Sequence, residues 1–161
     1  MSAASDEFER IVRAIFQRLR ERFGLDRVEG SRHYPARDSG VKRQVDVTAY
    51  ALDETMIIIE CKLRKRRPID IGYIDAFHTV IHVDVGADGG IMVSTSGFTS
   101  GAVESARAKK IGLAMLNEDA TEHDFILQIN DLIIGGVSRS IPCRFNLVEA
   151  EANNEDTQAQ P

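Results

Sequence analysis

Cysteine is scarce. The 161-residue chain has two, Cys61 and Cys143. Two thiols exclude a disulfide-stapled scaffold and a metal site built wholly from cysteine, and they fit a reducing, cytoplasmic setting. Long apolar runs are missing as well. None approaches the roughly 18 residues that a membrane-spanning helix needs, so no membrane partner is expected. The opening stretch, Met1 to Arg10, is polar and acidic, unlike a secretory signal. Positive charge is also short overall. Lys and Arg number 20 against 25 Asp and Glu, a net −5, which argues weakly against a nucleic-acid partner.

The total hides a split. Residues 1–70 carry 15 basic and 12 acidic side chains, a balance of +3, whereas residues 71–161 carry 5 and 13, a balance of −8. The densest basic run is Lys62-Leu63-Arg64-Lys65-Arg66-Arg67. Such a run is either a solvated loop or an edge that binds phosphate, and its location must decide between them. The length suits one domain with a substantial core. Residues 1–148 are expected to form it, and the polar residues 149–161 to be a disordered tail.

Periodicity gives the element order. Phe8, Ile11, Val12, Ile15, Phe16, Leu19 and Phe23 make one apolar stripe, so a helix is expected over 6–23, capped by Asp6 and stopped by Gly24. A strand is expected over 27–34 and a loop over 35–43. Residues 44–51 alternate, with Val45, Val47 and Ala49 on one face and Asp46 on the other. Met56 to Lys62 reads as a nearly continuous apolar strand, central in a sheet. Helices follow over 70–83 (capped by Asp70), 99–110 and 122–134. Strands are expected at 91–93, 111–116 and 141–148. This order is α/β, a central mixed β-sheet flanked by helices, with a β-meander followed by crossovers.

Chemistry concentrates at Glu60-Cys61-Lys62. Alternate residues of a strand share a face, so Glu60 and Lys62 project together and Cys61 projects oppositely. A carboxylate and an ammonium interrupting Met-Ile-Ile-Ile are costly to bury unless paired or used. A structural ion pair is the simplest account, but Asp46 on the neighbouring strand adds a second acid. Two carboxylates and a lysine at one sheet end suit Mg²⁺ or Mn²⁺, with the lysine beside the metal-bound water. Convergence requires Asp46 to lie opposite Glu60. A two-residue turn at Asp53-Glu54 would put it on the wrong face, so a three-residue turn, another odd length or a bulge is expected.

Asp46 followed by Glu60-x-Lys62 resembles the PD-(D/E)XK nuclease signature. The segment Gly90 to Leu116, with Ser94-Thr95-Ser96-Gly97-Phe98-Thr99 between a strand and an Ala-rich helix, closely resembles Mrr-like restriction endonucleases. So does Phe8-Glu9 on the first helix. The likeness spans residues 6–117. It implies a restriction-endonuclease-like fold with an αβββαβ core and a Mg²⁺-dependent endonuclease acting on DNA. In that family's terms Asp46, Glu60 and the Cys61 backbone carbonyl would ligate metal. Lys62 would serve the attacking water, and Glu9 would be an auxiliary acid, unless it is merely a first-turn acid favoured by the helix dipole. Many Mrr-like sequences have Gln where this chain has Glu60. The family's Gly-rich approach to the first acid is replaced here by Asp38 to Gln44.

Lys42, Arg43 and Arg64 to Arg67 flank the two motif strands and are expected to track a DNA backbone. Specificity would come from a separate subunit or be absent, and a symmetric homodimer would cut both strands. A DNA-repair or Holliday-junction-resolving nuclease, or a catalytically silent DNA-binding subunit of the same fold, are the competing readings. Other candidates are weaker. His78 and His82 share a helix face without evident further ligands. Asp84 to Gly90 lacks a calcium loop's donors. Ser94, Thr95, Ser96 and Thr99 would either cap the next helix or hydrogen-bond phosphate.

Overall fold

The computed structural model describes residues 2–130, 132–134, 137–139 and 145–146. Helix α1 (Ala3–Arg18) and the short α2 (Arg20–Phe23) come first. Strands β1 (Leu25–Glu29), β2 (Arg32–Pro35), β3 (Lys42–Val45), β4 (Val47–Ala51) and β5 (Met56–Lys62) follow. Then come α3 (Ile71–Thr79), β6 (Gly89–Ser94), α4 (Ser100–Ala108) and β7 (Gly112–Leu116). The last described elements are β8 (Ile126–Asn130), β9 (Leu132–Ile134), β10 (Val137–Arg139) and β11 (Phe145–Asn146).

Seven strands form one mixed sheet in the order β1-β4-β5-β6-β7-β8-β11. β1, β4 and β5 pair antiparallel, as a meander does, while β5, β6 and β7 run parallel through the crossovers α3 and α4. β2 with β3, and β9 with β10, make separate two-stranded ribbons.

The apolar pattern of each element explains its place. The stripe of α1 buries Phe8, Val12, Ile15 and Phe16 against Val47, Ala49, Ile57, Ile59 and Cys61 on one sheet face. The opposite face packs Ile58, Met92 and Leu113 against Ile74, Phe77, Ile81, Ala102 and Ala106. β5 is covered on both sides, which is why its sequence is apolar at nearly every position. Asp70 and Thr99 cap α3 and α4 through their side chains, accepting from the N–H groups of Gly72 and Ala102. No helix among the described residues is long and apolar enough to cross a membrane.

Several expectations are corrected. Ser2, not Asp6, caps α1, accepting the Ser5 N–H at 3.3 Å. Asp6 sits in the first turn, where a carboxylate meets the positive end of the helix. The strand expected over 27–34 is two strands in different sheets, and the loop expected over 35–43 contains the start of β3. The helix after Asp70 widens into a π-helical turn over Val80–Val85 before Gly86 ends it in the left-handed region. The helix expected over 122–134 is absent. Ile126–Asn130 instead pairs antiparallel with β7, from Leu113 opposite Asn130 to Leu116 opposite Leu127. The open edge of β7 outweighs the weak helical spacing of that stretch. Of the strand expected over 141–148, Phe145–Asn146 pairs with β8. Cys143 and the tail 149–161 lie outside the described residues.

Candidate active site

The site begins at the β4–β5 hairpin. Its loop is Leu52-Asp53-Glu54. The Ala51 N–H donates to the Thr55 carbonyl at 3.0 Å, and the Glu54 N–H to the Ala51 carbonyl at 3.0 Å. Glu54 takes φ 64, which lets three residues close the turn. The pairs Val47–Ile59, Thr48–Ile58, Ala49–Ile57 and Tyr50–Met56 set the register. Continued by one residue, that register brings Asp46 opposite Glu60, as the odd-length turn requires.

Asp46 itself departs from the expected alternation. It occupies a bend between β3 and β4. Val45 packs with the α3–α4 cluster while Val47 packs with the α1 cluster, so the chain flips faces across Asp46. The bend turns the carboxylate onto β5. Asp46 Oδ2 accepts the Cys61 N–H at 2.8 Å, and the residue is 8% exposed. Its other oxygen takes no hydrogen bond from a described residue. Burial first, then the charge of Glu60, push the Asp46 carboxyl up to about 7. The Cys61 N–H and the more distant Lys62 oppose that rise, and Glu9 adds to it.

Glu60 and Lys62 share the α3 face of β5. Lys62 Nζ lies 2.5 Å from Glu60 Oε1 and 5.8 Å from the centre of the Tyr73 ring. Glu9 arrives from α1, also 8% exposed. Burial, and then the charges of Asp6 and Glu60, raise its carboxyl above the usual range. Asp46 and Glu9 line a cavity of about 290 Å³ with Asp6, Arg10, Arg13, Gly30 and Ser31. Glu60 and Lys62 open onto a smaller one of about 100 Å³, with Tyr73 and Phe77 in its wall. The four motif residues thus lie at one end of β5 but open onto two cavities, Asp46 and Glu9 onto one and the Glu60–Lys62 pair onto the other.

Cys61 projects into the α1 core, and burial raises its thiol well above the ordinary value, so its side chain is inert. Its backbone carbonyl is different. Lys62 gives its carbonyl to the Thr95 N–H at 3.3 Å on the β6 side. Along a strand these groups alternate edges, so the Cys61 carbonyl points to the Asp46 side, as its N–H does.

Two carboxylates and a carbonyl are hard oxygen donors suited to Mg²⁺ or Mn²⁺. The donor chemistry fits such an ion, and the mutual repulsion of the acids calls for a cation. As they stand, no three His, Cys, Asp or Glu side chains among the described residues are gathered tightly enough to enclose a metal. A carbonyl and water ligands would have to complete the shell.

The basic run leaves β5 directly at this end. Lys65, Arg66 and Arg67 are exposed, whereas Arg64 lies over the Tyr73 ring at 4.5 Å and donates to its hydroxyl. Hydroxyls from the segment after β6 hold the run in place. Thr95 Oγ1 accepts the Arg64 N–H at 2.9 Å and donates to the Arg64 carbonyl at 2.7 Å, while Ser96 Oγ donates to the Arg67 carbonyl at 2.7 Å. Thr95 and Ser96 therefore neither cap α4 nor wait for phosphate. Only their hydroxyl chemistry was visible in the sequence; their partner, 29 to 31 residues away, was not.

Lys42 and Arg43 lie apart from this loop, on the β2–β3 ribbon, where Arg43 Nε sits 2.7 Å from Asp84 Oδ2. His78 and His82 touch edge to face at 4.7 Å. Burial, then His82, lower the His78 pKa. Asp84 is buried beside Arg43, and Asp88 accepts the Met56 N–H at 2.8 Å, so both acids serve the fold.

A mixed sheet with parallel crossovers, ending in an acid, an acid and a lysine beside a buried helix acid, defines a restriction-endonuclease-like fold. The restriction endonuclease family model (Mrr catalytic domain) matches residues 1–120. The chain belongs to this Mrr-type restriction endonuclease family. No curated protein matches it significantly. Among solved structures, a protein of unknown function, AF1548, aligns with TM-score 0.55 at 19% identity, over 65% of this chain and 56% of that one. Protein VC1899 from Vibrio cholerae aligns with TM-score 0.51 at 16% identity, over 65% of this chain and 28% of that one. These are likenesses of fold alone. The chain spans little more than half of the first and under a third of the second.

Proposed function

We propose that the protein is a divalent-metal-dependent DNA endonuclease of the Mrr-like restriction type. The observation that carries this is the Asp46 carboxylate on the Cys61 N–H, between Glu60 and Lys62, at the end of β5 beside an odd-length hairpin. In this reading Asp46, Glu60 and the Cys61 carbonyl hold Mg²⁺ or Mn²⁺. When bound, the ion supplies charge to offset the phosphate and acidity to a water molecule. Lys62, held by Glu60 and the Tyr73 ring, would orient that water and offset negative charge on the phosphate. Glu9 would be an auxiliary acid that helps hold the ion or its water. Arg64 to Arg67 follow the sugar-phosphate backbone away from the cut, and Lys42 and Arg43 extend the contact along the β2–β3 ribbon. The domain comprises residues 1–148, with 149–161 a polar tail, and works in the cytoplasm. Cutting a duplex calls for a homodimer, and sequence choice for a separate subunit.

Purified protein is incubated with Mg²⁺ or Mn²⁺ on duplex, single-stranded, branched and methylated DNA. Cleavage that stops with chelator, and falls about a thousandfold in Lys62→Ala with folding intact, is expected. Preference for branched DNA would move the reading to junction resolution. A wild-type chain inert on every substrate would refute it and leave a silent binding subunit.

A further inference from the structure

Two arginines, Arg10 and Arg13, join the carboxylates around the 290 Å³ cavity on the α1 side. Arg10 is committed, with Glu7 at 2.7 Å and Glu122 at 3.6 Å. Arg13, nearly one turn further along α1, pairs with no described residue and stays exposed. Its guanidinium rests over Gly30. A Cβ placed there would come within 3.2 Å of an Arg13 terminal nitrogen and 3.5 Å of its Cδ and Cζ. Gly30 is not among the glycines with positive φ, so its backbone does not demand glycine. What glycine provides at this position is room for the guanidinium in the cavity wall that Asp46 also lines.

An arginine that pairs with no described residue, in the same cavity wall as Asp46 and Glu9, is chemically suited to a phosphate, which it can grip through two N–H groups. Resting on the nuclease reading above, we infer that Arg13 binds a phosphate of the DNA strand on the α1 side of the cut, with Gly30 as its seat. The basic run flanks β5 from the α3 side, where Arg64 lies on Tyr73. The two groups would hold the strand from opposite flanks of the sheet end. Arg13 is a positioning residue, since it reaches a phosphate rather than the reacting atoms.

The test measures binding of a fluorescent duplex oligonucleotide across a KCl series, with steady-state cleavage alongside. Arg13→Ala should weaken binding about tenfold and flatten the slope of log K against log salt by about 0.9. KM should rise while kcat holds. Arg13→Lys should keep the slope, and Arg20→Ala, a surface control on α2, should stay within about twofold of wild type in affinity. If Arg13→Ala melts early, Arg13→Gln carries the same measurement. A variant with wild-type slope and KM, in a chain that binds and cuts, overturns this assignment alone. A wild-type chain that neither binds nor cuts DNA overturns the nuclease reading together with it.

Discussion

Replacing Asp46 with Asn should stabilise the metal-free protein while ending cleavage. In the folded chain the Asp46 carboxyl is lifted from its ordinary 3.8 to about 7, by burial first and then by the charge of Glu60. Unfolding returns it to water and to its ordinary value. Below pH about 4 the group is protonated in both states and costs nothing. Between about 4 and 7 the folded protein keeps a proton that the unfolded chain has released, so stability falls as pH rises. Above 7 the penalty is complete, roughly 4 kcal/mol at most. Water and structural relaxation at the cavity wall would halve it, to about 2 kcal/mol. Asn has no charge to bury and can still accept the Cys61 N–H, which now meets Asp46 Oδ2 at 2.8 Å. At pH 8 with chelator, Asp46→Asn should therefore melt about 4–8 °C above wild type, and the gap should close toward pH 4. Adding Mg²⁺ at about 100 times its Kd should stabilise wild type by about 2.7 kcal/mol and leave the variant unmoved. Circular-dichroism melts from pH 4 to 8 give the answer. A variant no more stable than wild type at pH 8, or a gap that does not depend on pH, would refute the reasoning.

Thr95→Val keeps the volume but strips the Arg64 N–H and carbonyl of their partner, so the basic loop should loosen. A loss of about 1–3 kcal/mol in a denaturant melt is expected. A raised KM for DNA should accompany it, with Thr95→Ser restoring both. Gly90→Ala would drive its Cβ to 2.4 Å from Ile81 Cδ1 and 2.9 Å from the Phe77 ring. That should cost about 1–3 kcal/mol, seen as a lower Tm, while Ile81→Val in the same chain should recover part of the loss.

The strand and the turn that position the candidate site were legible in the sequence. The span of β5 agrees with the apolar run Met56–Lys62, and period-two geometry puts Glu60 and Lys62 on one face. The demand that Asp46 oppose Glu60 implied an odd-length turn, and Leu52 to Glu54 supply it. Asp70 caps the helix it was expected to cap, and Thr99 takes the capping role of the two it was weighed for. All of these depend on the covalent repeat of the chain or on neighbours a few residues apart.

Other features depended on partners far along the chain. The bend at Asp46 sends Val45 and Val47 into opposite cores because each finds apolar cover on a different side of the sheet. Ile126–Asn130 becomes a strand because β7 offers it an unpaired edge. The hydroxyls of Thr95 and Ser96 serve the basic loop, and Arg13 reaches Gly30, only once the sheet is assembled. Local periodicity determines which faces a segment presents, but burial and pairing across the folded molecule decide which face wins.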